Sequence, residues 1–170
     1  MAETRPGEQR HFTATGFVVE GSRTLLLWHQ RLGMWVPPGG HIDANEDPVT
    51  AVLREVREET GIEAELVPNG RAFSFSYPEQ VQAPYTILVE DISGPGEPHK
   101  HIDFIYFCRP VNGSCPQPRP DLALCWVEEE TLRSNDPVEL AACGVSAPIA
   151  EDVRLLALEA IDAARRAGEG

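Results

Sequence analysis

The alternation of apolar and polar residues in the first half of the chain predicts short strands around one helix. Residues 11–20 (HFTATGFVVE) are rich in β-branched and aromatic side chains, and Gly21-Ser22 is a turn signal before the apolar residues 24–29. These two segments are predicted to form a β-hairpin or two sequential strands. The same kind of pattern predicts further strands over residues 64–67, 71–77 and 85–92.

An amphipathic helix is predicted between these strands. Its apolar residues fall within an arc of roughly 100°, so that one face can pack on a sheet; they are Val49, Val52, Leu53 and Val56. Gly61 is predicted to end the helix as a left-handed cap. Before the helix, residues 37–40 (PPGG) are predicted to stop any regular element and to let the backbone approach a ligand closely.

The second half of the chain predicts a buried strand and a closing helix. Residues 102–108 (IDFIYFC) form the most apolar strand candidate, which favours a central position in the sheet. One more strand is predicted over residues 122–127, with a short helix opening at residues 128–132. A long helix is predicted over residues 149–167, where an apolar stripe recurs at helical spacing. The order of elements predicts layers of helix, mixed sheet and helix.

Length, charge and cysteine content narrow the function classes. The 170 residues fit one domain, and a net charge of -13 opposes non-specific binding to nucleic acid or to an anionic membrane surface. No segment approaches the roughly 18 apolar residues of a membrane span. The four cysteines show no CxxC spacing and no secretory leader is recognisable, so we expect reduced thiols in a cytoplasmic protein.

Three carboxylates share one face of the predicted helix. Glu55, Glu58 and Glu59 are spaced i, i+3 and i+4, and like charges this close repel one another unless a cation lies between them. Hard oxygen ligands suit Mg²⁺ or Mn²⁺ better than zinc. Arg54 lies four residues before Glu58 and can pair with it and orient it. The alternative is an acidic helix face that is simply solvated.

The full spacing of this segment favours the metal site over the solvated face. From Gly40 the sequence continues with five residues, Glu46, seven residues and then residues 54–62 (REVREETGI). This pattern resembles the Nudix box, GX5EX7REUXEEXGU, at every fixed position. Trp35, the approach to Gly40 and residues 126–128 (WVE) are also similar to Nudix proteins. The resemblance therefore predicts a Nudix domain over residues 10–165, and the composition of the two ends of the chain predicts flexible tails at residues 1–9 and 166–170.

The resemblance implies a Nudix fold, an α/β/α sandwich with a mixed sheet, and a divalent-metal-dependent pyrophosphohydrolase. Its substrate would be a small phosphorylated molecule, a nucleoside diphosphate linked to another group. The family pattern makes Glu55, Glu58 and Glu59 ligands of Mg²⁺ or Mn²⁺, with Glu55 or Glu58 best placed to activate water. Gly39 or Gly40 would lend a carbonyl to the metal. Glu46 would support the loop, and Arg54 would lock a glutamate. Family members are often dimers, which leaves a homodimer open.

Residues outside the box supply candidates for substrate binding and for a further acid. The acidic candidates are Glu97, Asp103, Glu128 and Glu129. Asp103 interrupts an apolar strand, where a carboxylate needs a partner, so it either lines the site or has a structural pairing. Lys100 and Arg109 can bind phosphate, and Trp35 can stack on a nucleobase. Gly39 and His41 are candidates because they adjoin Gly40.

Two alternatives remain beside the hydrolase. A Nudix-fold sensor would bind a nucleotide without turnover, although such a protein has little need of all three glutamates. A prenyl-diphosphate isomerase of the same fold is disfavoured because no cysteine lies near the box in sequence. Pro78 follows Ile62 at the spacing of the ADP-ribose branch, and Tyr77 falls just outside the diadenosine-polyphosphate pattern. Neither of these spacings identifies the substrate.

Overall fold

A computed structural model describes residues 9–92, 98–111, 113–117, 122–141 and 144–168. The strands are β1 Gln9–Glu20, β2 Arg23–His29, β3 Met34–Val36, β4 Gly39–His41, β5 Ala64–Leu66, β6 Thr86–Ile92, β7 His99–Pro110, β8 Ala123–Glu128, β9 Val138–Leu140 and β10 Val145–Ala147. The helices are α1 Pro48–Thr60, α2 Glu129–Ser134 and α3 Glu151–Gly168.

The first eight strands form one mixed sheet whose centre is the pair β1 and β7. These two strands run parallel and are in register from Gln9 beside His99 to Val18 beside Cys108. The antiparallel partner β2 continues the sheet from β1, and β5 and β6 pair with β7. The prediction that the apolar strand at residues 102–108 is central is therefore confirmed.

Helices cover both faces of the sheet. On one face α1 buries Val52 and Val56 against Ala14 and Val18 of β1. On the other face α3 packs against a second apolar cluster, to which its buried residues Ala157, Ala160 and Ile161 belong together with Phe17 and Phe107. The predicted sandwich of helix, mixed sheet and helix is confirmed.

Local sequence signals set the ends of α1. Asp47 is the N-cap, and its side chain accepts hydrogen bonds from the backbone N–H groups of Val49 and Thr50 at 2.8 and 3.0 Å. Pro48 occupies the first turn, where a missing N–H costs nothing. Gly61 has φ 73°, so the predicted left-handed cap is confirmed.

Two predictions of secondary structure are wrong. Residues 71–77 form no strand: their backbone is satisfied partly by Gln80, whose side chain bonds the N–H of Phe73 and the carbonyl of Arg71. Gly39 and Gly40 do not stop regular structure, because β4 pairs antiparallel with β1. No helix within the described ranges is long and apolar enough to cross a membrane.

Candidate metal centre

Two of the three carboxylates of the helix α1, those of Glu59 and Glu55, lie against Gly39 and Gly40 of β4. The backbone N–H of Gly39 donates to Glu59 Oε2 at 3.1 Å. A Cβ atom on Gly40 would lie only 2.5 Å from Glu55 Oε1, so a glycine is needed for this carboxylate to approach the backbone. Glu58 is the outermost of the three, with half of its side chain exposed.

Arg54 holds this cluster together. Its guanidinium makes a two-pronged ion pair with Glu46, at 2.7 Å from Nε to Oε1 and 2.9 Å from Nη2 to Oε2. Nη1 donates to Glu55 Oε1 at 2.6 Å and lies 3.4 Å from Glu58 Oε2. Nη2 also donates to the carbonyl of His41 at 3.0 Å. One arginine thus fixes the loop that precedes the helix and orients two of its glutamates.

Arg54 and the glutamates that it binds stabilise one another's charged forms. The hydrogen bonds that Arg54 donates to Glu46 and Glu55 raise the pKa of Arg54, and the bonds to Glu46 lower the pKa of Glu46. Glu46 Oε2 also accepts from the backbone N–H of Asp43 at 3.2 Å, which closes the loop. The arginine and its loop partner therefore keep their charges over the whole physiological pH range.

This donor set suits a hard divalent cation. The side chains that meet at Gly39 and Gly40 offer carboxylate oxygens, which Mg²⁺ and Mn²⁺ prefer to nitrogen or sulfur ligands. The residues present fit such an ion.

Asp103 has the partner that a carboxylate in an apolar strand requires. It is only 4% exposed and accepts a hydrogen bond from Thr13 Oγ1 at 2.9 Å, so it has a structural partner. Thr13 pairs with both Asp103 of β7 and His41 of β4, which puts Asp103 two strand spacings, about 10 Å, from His41. Burial raises the pKa of Asp103, against the lowering effect of the threonine hydroxyls.

The structure does not bring all of the predicted substrate-binding residues to this site. Trp35 is 0% exposed in the core beside Trp28, which argues against stacking on a nucleobase. Lys100 pairs with Asp91 at 2.9 Å, and strand alternation puts it on the sheet face opposite His101 and Asp103.

Arg109 lies at the other end of the sheet from the two glycines of β4. It follows Asp103 by six residues along β7, a distance of about 20 Å, and it donates to Glu65 at 2.7 Å. Glu128 and Glu129 are also remote, since Glu128 pairs with Arg23 at the far end of β2. Glu129 binds Arg133 and Arg165. Glu97 lies outside the described residues.

The sequence predicts His41 near the site but does not predict that His41 meets other histidines there. His11 of β1 lies beside His41, with 3.3 Å between Nδ1 of His11 and Nε2 of His41, and it pairs directly with His101 of β7. Burial, followed by the charges of His41, His99 and His11, lowers the pKa of His101 to about 4. The pairing of β1 with both β7 and β4 brings these rings together, and neither pairing leaves a local signal in the sequence.

Comparison with known proteins identifies the family. The family model of the NUDIX domain matches residues 9–142. A solved structure of a hydrolase of the NUDIX family from Clostridium perfringens has a TM-score of 0.69 at 26% identity, and the match covers 91% of this chain and 97% of that one.

Curated relatives match over shorter stretches. The asymmetrical bis(5'-nucleosyl)-tetraphosphatase of Mus musculus is 60% identical over 40 residues, 24% of this chain and 27% of that protein. The RNA pyrophosphohydrolase of Gluconacetobacter diazotrophicus is 47% identical over 45 residues, 26% of this chain and 27% of that protein. The chain thus spans about a quarter of the length of these relatives. The match of the family model to most of the chain shows that it belongs to the Nudix family.

Proposed function

We propose that this protein is a Mg²⁺-dependent pyrophosphohydrolase that cleaves a phosphoanhydride bond in a small nucleotide-derived substrate. The observation that carries the proposal is that Glu55 and Glu59 lie against the two glycines of β4, while Arg54 binds Glu55 and Glu58. The names of the relatives support it, since the mouse protein is named as a tetraphosphatase and the bacterial one as a pyrophosphohydrolase.

The glutamates of α1 and the two glycines of β4 would hold the metal. Glu55 lies against Gly40, and Glu59 accepts a hydrogen bond from Gly39. We assign both glutamates as ligands of Mg²⁺ or Mn²⁺, together with Glu58 and a backbone carbonyl of Gly39 or Gly40. When bound, the ion neutralises charge on the diphosphate and lowers the pKa of the attacking water. A protein with a net charge of -13 needs such a cation to accept a polyanion.

Glu58 is our choice for the general base. Glu55 is only 15% exposed and its Oε1 is bound by Arg54 at 2.6 Å, whereas Glu58 is 50% exposed and lies 3.4 Å from the same guanidinium. A base has to reach a water molecule in the cleft, which favours the more exposed carboxylate. Glu58 would take a proton from water as the water oxygen bonds to one phosphorus. The bond from that phosphorus to the bridging oxygen then breaks.

Arg54 acts as a positioning residue. It binds Glu46 and the carbonyl of His41 on the loop and Glu55 on the helix, so it couples the loop to the metal ligands. Catalytic groups lose efficiency steeply when they are displaced by about 1 Å. A rigid arginine between loop and helix prevents that displacement.

A substrate panel tests the proposal. The purified protein is incubated with Mg²⁺ or with chelator, together with nucleoside triphosphates, ADP-ribose, diadenosine polyphosphates or nucleotide sugars, and release of phosphate or nucleoside monophosphate is measured. We expect turnover of at least one class, abolished by the chelator. Tight binding of a nucleotide without turnover in any arm would instead make the protein a sensor.

A further inference from the structure

Four of the five histidines of this chain lie together at one end of the central strands. His11 of β1 pairs with His101 of β7, and His99 is two residues earlier on the same face of β7. His41 enters from β4, which pairs with β1 at Thr13. Three separate strands therefore deliver imidazoles to one point. We call these four residues the histidine cluster.

The distances within the histidine cluster are those of side chains that can share an ion. One nitrogen from each of His11, His41 and His101 lies within 4.8 Å of the other two. The ring centroids are 5.3 Å apart for His11 and His41, 5.0 Å for His41 and His101, and 6.1 Å for His11 and His101. Nε2 of His99 lies 3.3 Å from Nε2 of His101.

One pair of nitrogens among the three proposed ligands has the spacing of tetrahedral coordination. Ligand nitrogens at about 2.0–2.1 Å from a tetrahedral Zn²⁺ are about 3.4 Å apart. Nε2 of His41 and Nδ1 of His11 are 3.3 Å apart, and the three nitrogens all lie within 4.8 Å of one another, so metal binding would have to draw the wider pairs closer.

We propose that His11, His41 and His101 form a second metal site, which binds a divalent transition metal such as Zn²⁺ with the fourth coordination position open to water or to His99. Imidazole nitrogens suit Zn²⁺, Cu²⁺ and Ni²⁺, whereas Mg²⁺ takes oxygen ligands and belongs to the glutamates of α1. Three histidines with an open position form a donor set known for Zn²⁺. The chain thus separates two kinds of cation by ligand chemistry.

The two sites are adjacent in the chain and use different residues. His41 directly follows Gly40, and its carbonyl accepts a hydrogen bond from Arg54 while its ring belongs to the histidine cluster. A metal on the histidine cluster would therefore tie β4, at the edge of the glutamate site, to β1 and β7. It would stabilise the folded state by binding that state preferentially.

Metal titration of the full-length protein without a polyhistidine tag tests the proposal. The protein is stripped of metal, Mg²⁺ is added in excess to occupy the glutamate site, and Zn²⁺ is titrated calorimetrically. Co²⁺ is titrated in parallel because its visible spectrum reports tetrahedral nitrogen coordination. We expect one Zn²⁺ per chain and a tetrahedral Co²⁺ spectrum. An absence of Zn²⁺ binding in excess Mg²⁺ would overturn the proposal.

Variants separate the histidine cluster from other ligands. His41→Asn changes an exposed side chain and is expected to weaken Zn²⁺ binding more than about 100-fold, since even the loss of an outer-shell partner costs about 10–100-fold. His101→Asn should do the same. His29→Asn, which alters the one histidine outside the cluster, and Glu58→Gln should leave Zn²⁺ binding unchanged. Wild-type affinity in His41→Asn, with folding confirmed by circular dichroism, would refute the site, as would loss of binding in Glu58→Gln.

Discussion

Replacing Gly40 by alanine probes the contact between this residue of β4 and the side chain of Glu55, which lies against it. The added methyl group would lie 2.5 Å from Oε1 and 2.6 Å from Cδ of Glu55. Ordinary contacts of a Cβ atom begin at about 3.4 Å, so the carboxylate has to retreat by roughly 1 Å. It cannot do so and keep its 2.6 Å hydrogen bond to Arg54.

The expected effect is a large loss of activity with little loss of stability. A displacement of about 1 Å in a catalytic constellation costs on the order of 100-fold in rate. The clash involves the end of a side chain rather than the backbone, and alanine restricts the unfolded chain more than glycine does. We therefore expect the free energy of unfolding to change by less than about 1 kcal/mol.

Gly16→Ala is the matched control. Its methyl group would lie 2.9 Å from Cγ2 of both Val52 and Val56, which are fully buried under α1. Overpacking of this kind costs about 1–3 kcal/mol of stability, while the glutamates stay in place. Turnover with saturating Mg²⁺ and urea unfolding are measured for both variants. Normal turnover in Gly40→Ala, or a larger rate loss in Gly16→Ala, would refute the assignment of Glu55 to the site.

Three further changes test the packing and the charges of the fold. Because the folded-state pKa of Asp103 is raised, the folded protein binds a proton there more readily than the unfolded chain does, and it loses stability as pH rises. Asp103→Asn should therefore gain stability relative to wild type between pH 3 and 7, measured by urea unfolding. Trp35 is fully buried and its Nε1 has no partner among the described residues, so Trp35→Phe should stay within about 1 kcal/mol of wild type while Trp35→Ala loses about 3–5 kcal/mol. Burial raises the pKa of the Cys108 thiol to about 12, so at pH 8 a thiol reagent should modify the exposed Cys115 and leave Cys108 unmodified in the native protein, as mass spectrometry of the digested protein would show.

Features that depend on local chemistry could be predicted from the sequence. The helix α1 starts at Pro48 after its cap and ends at Gly61, and both signals act on neighbouring backbone groups. The spacing of the three glutamates fixes them on one side of a helix in any tertiary context. The carboxylate face and its arginine were therefore readable before the fold was known.

Features that depend on strand pairing could not be predicted from the sequence. β1 and β7 are far apart in the chain, and their parallel register alone brings His11 to His101 and Thr13 to Asp103. Trp35 is close in sequence to the two glycines of β4, yet the pairing of β3 with β2 places its ring in the core. Residues 71–77 have the composition of a strand, but β6 occupies the edge beside β7. β-propensity describes a fit to neighbours, and those neighbours are set by the whole fold.

Substitution of Glu58, the most exposed of the three glutamates assigned to the metal, is the most direct test of the account. Turnover of the best substrate from the panel is measured against Mg²⁺ concentration for wild type, Glu58→Gln and Glu63→Gln. The last changes an exposed glutamate just beyond the end of α1. The account predicts that Glu58→Gln loses about 10²–10⁴-fold in turnover with folding intact, while Glu63→Gln keeps wild-type turnover. Wild-type turnover in Glu58→Gln would contradict it.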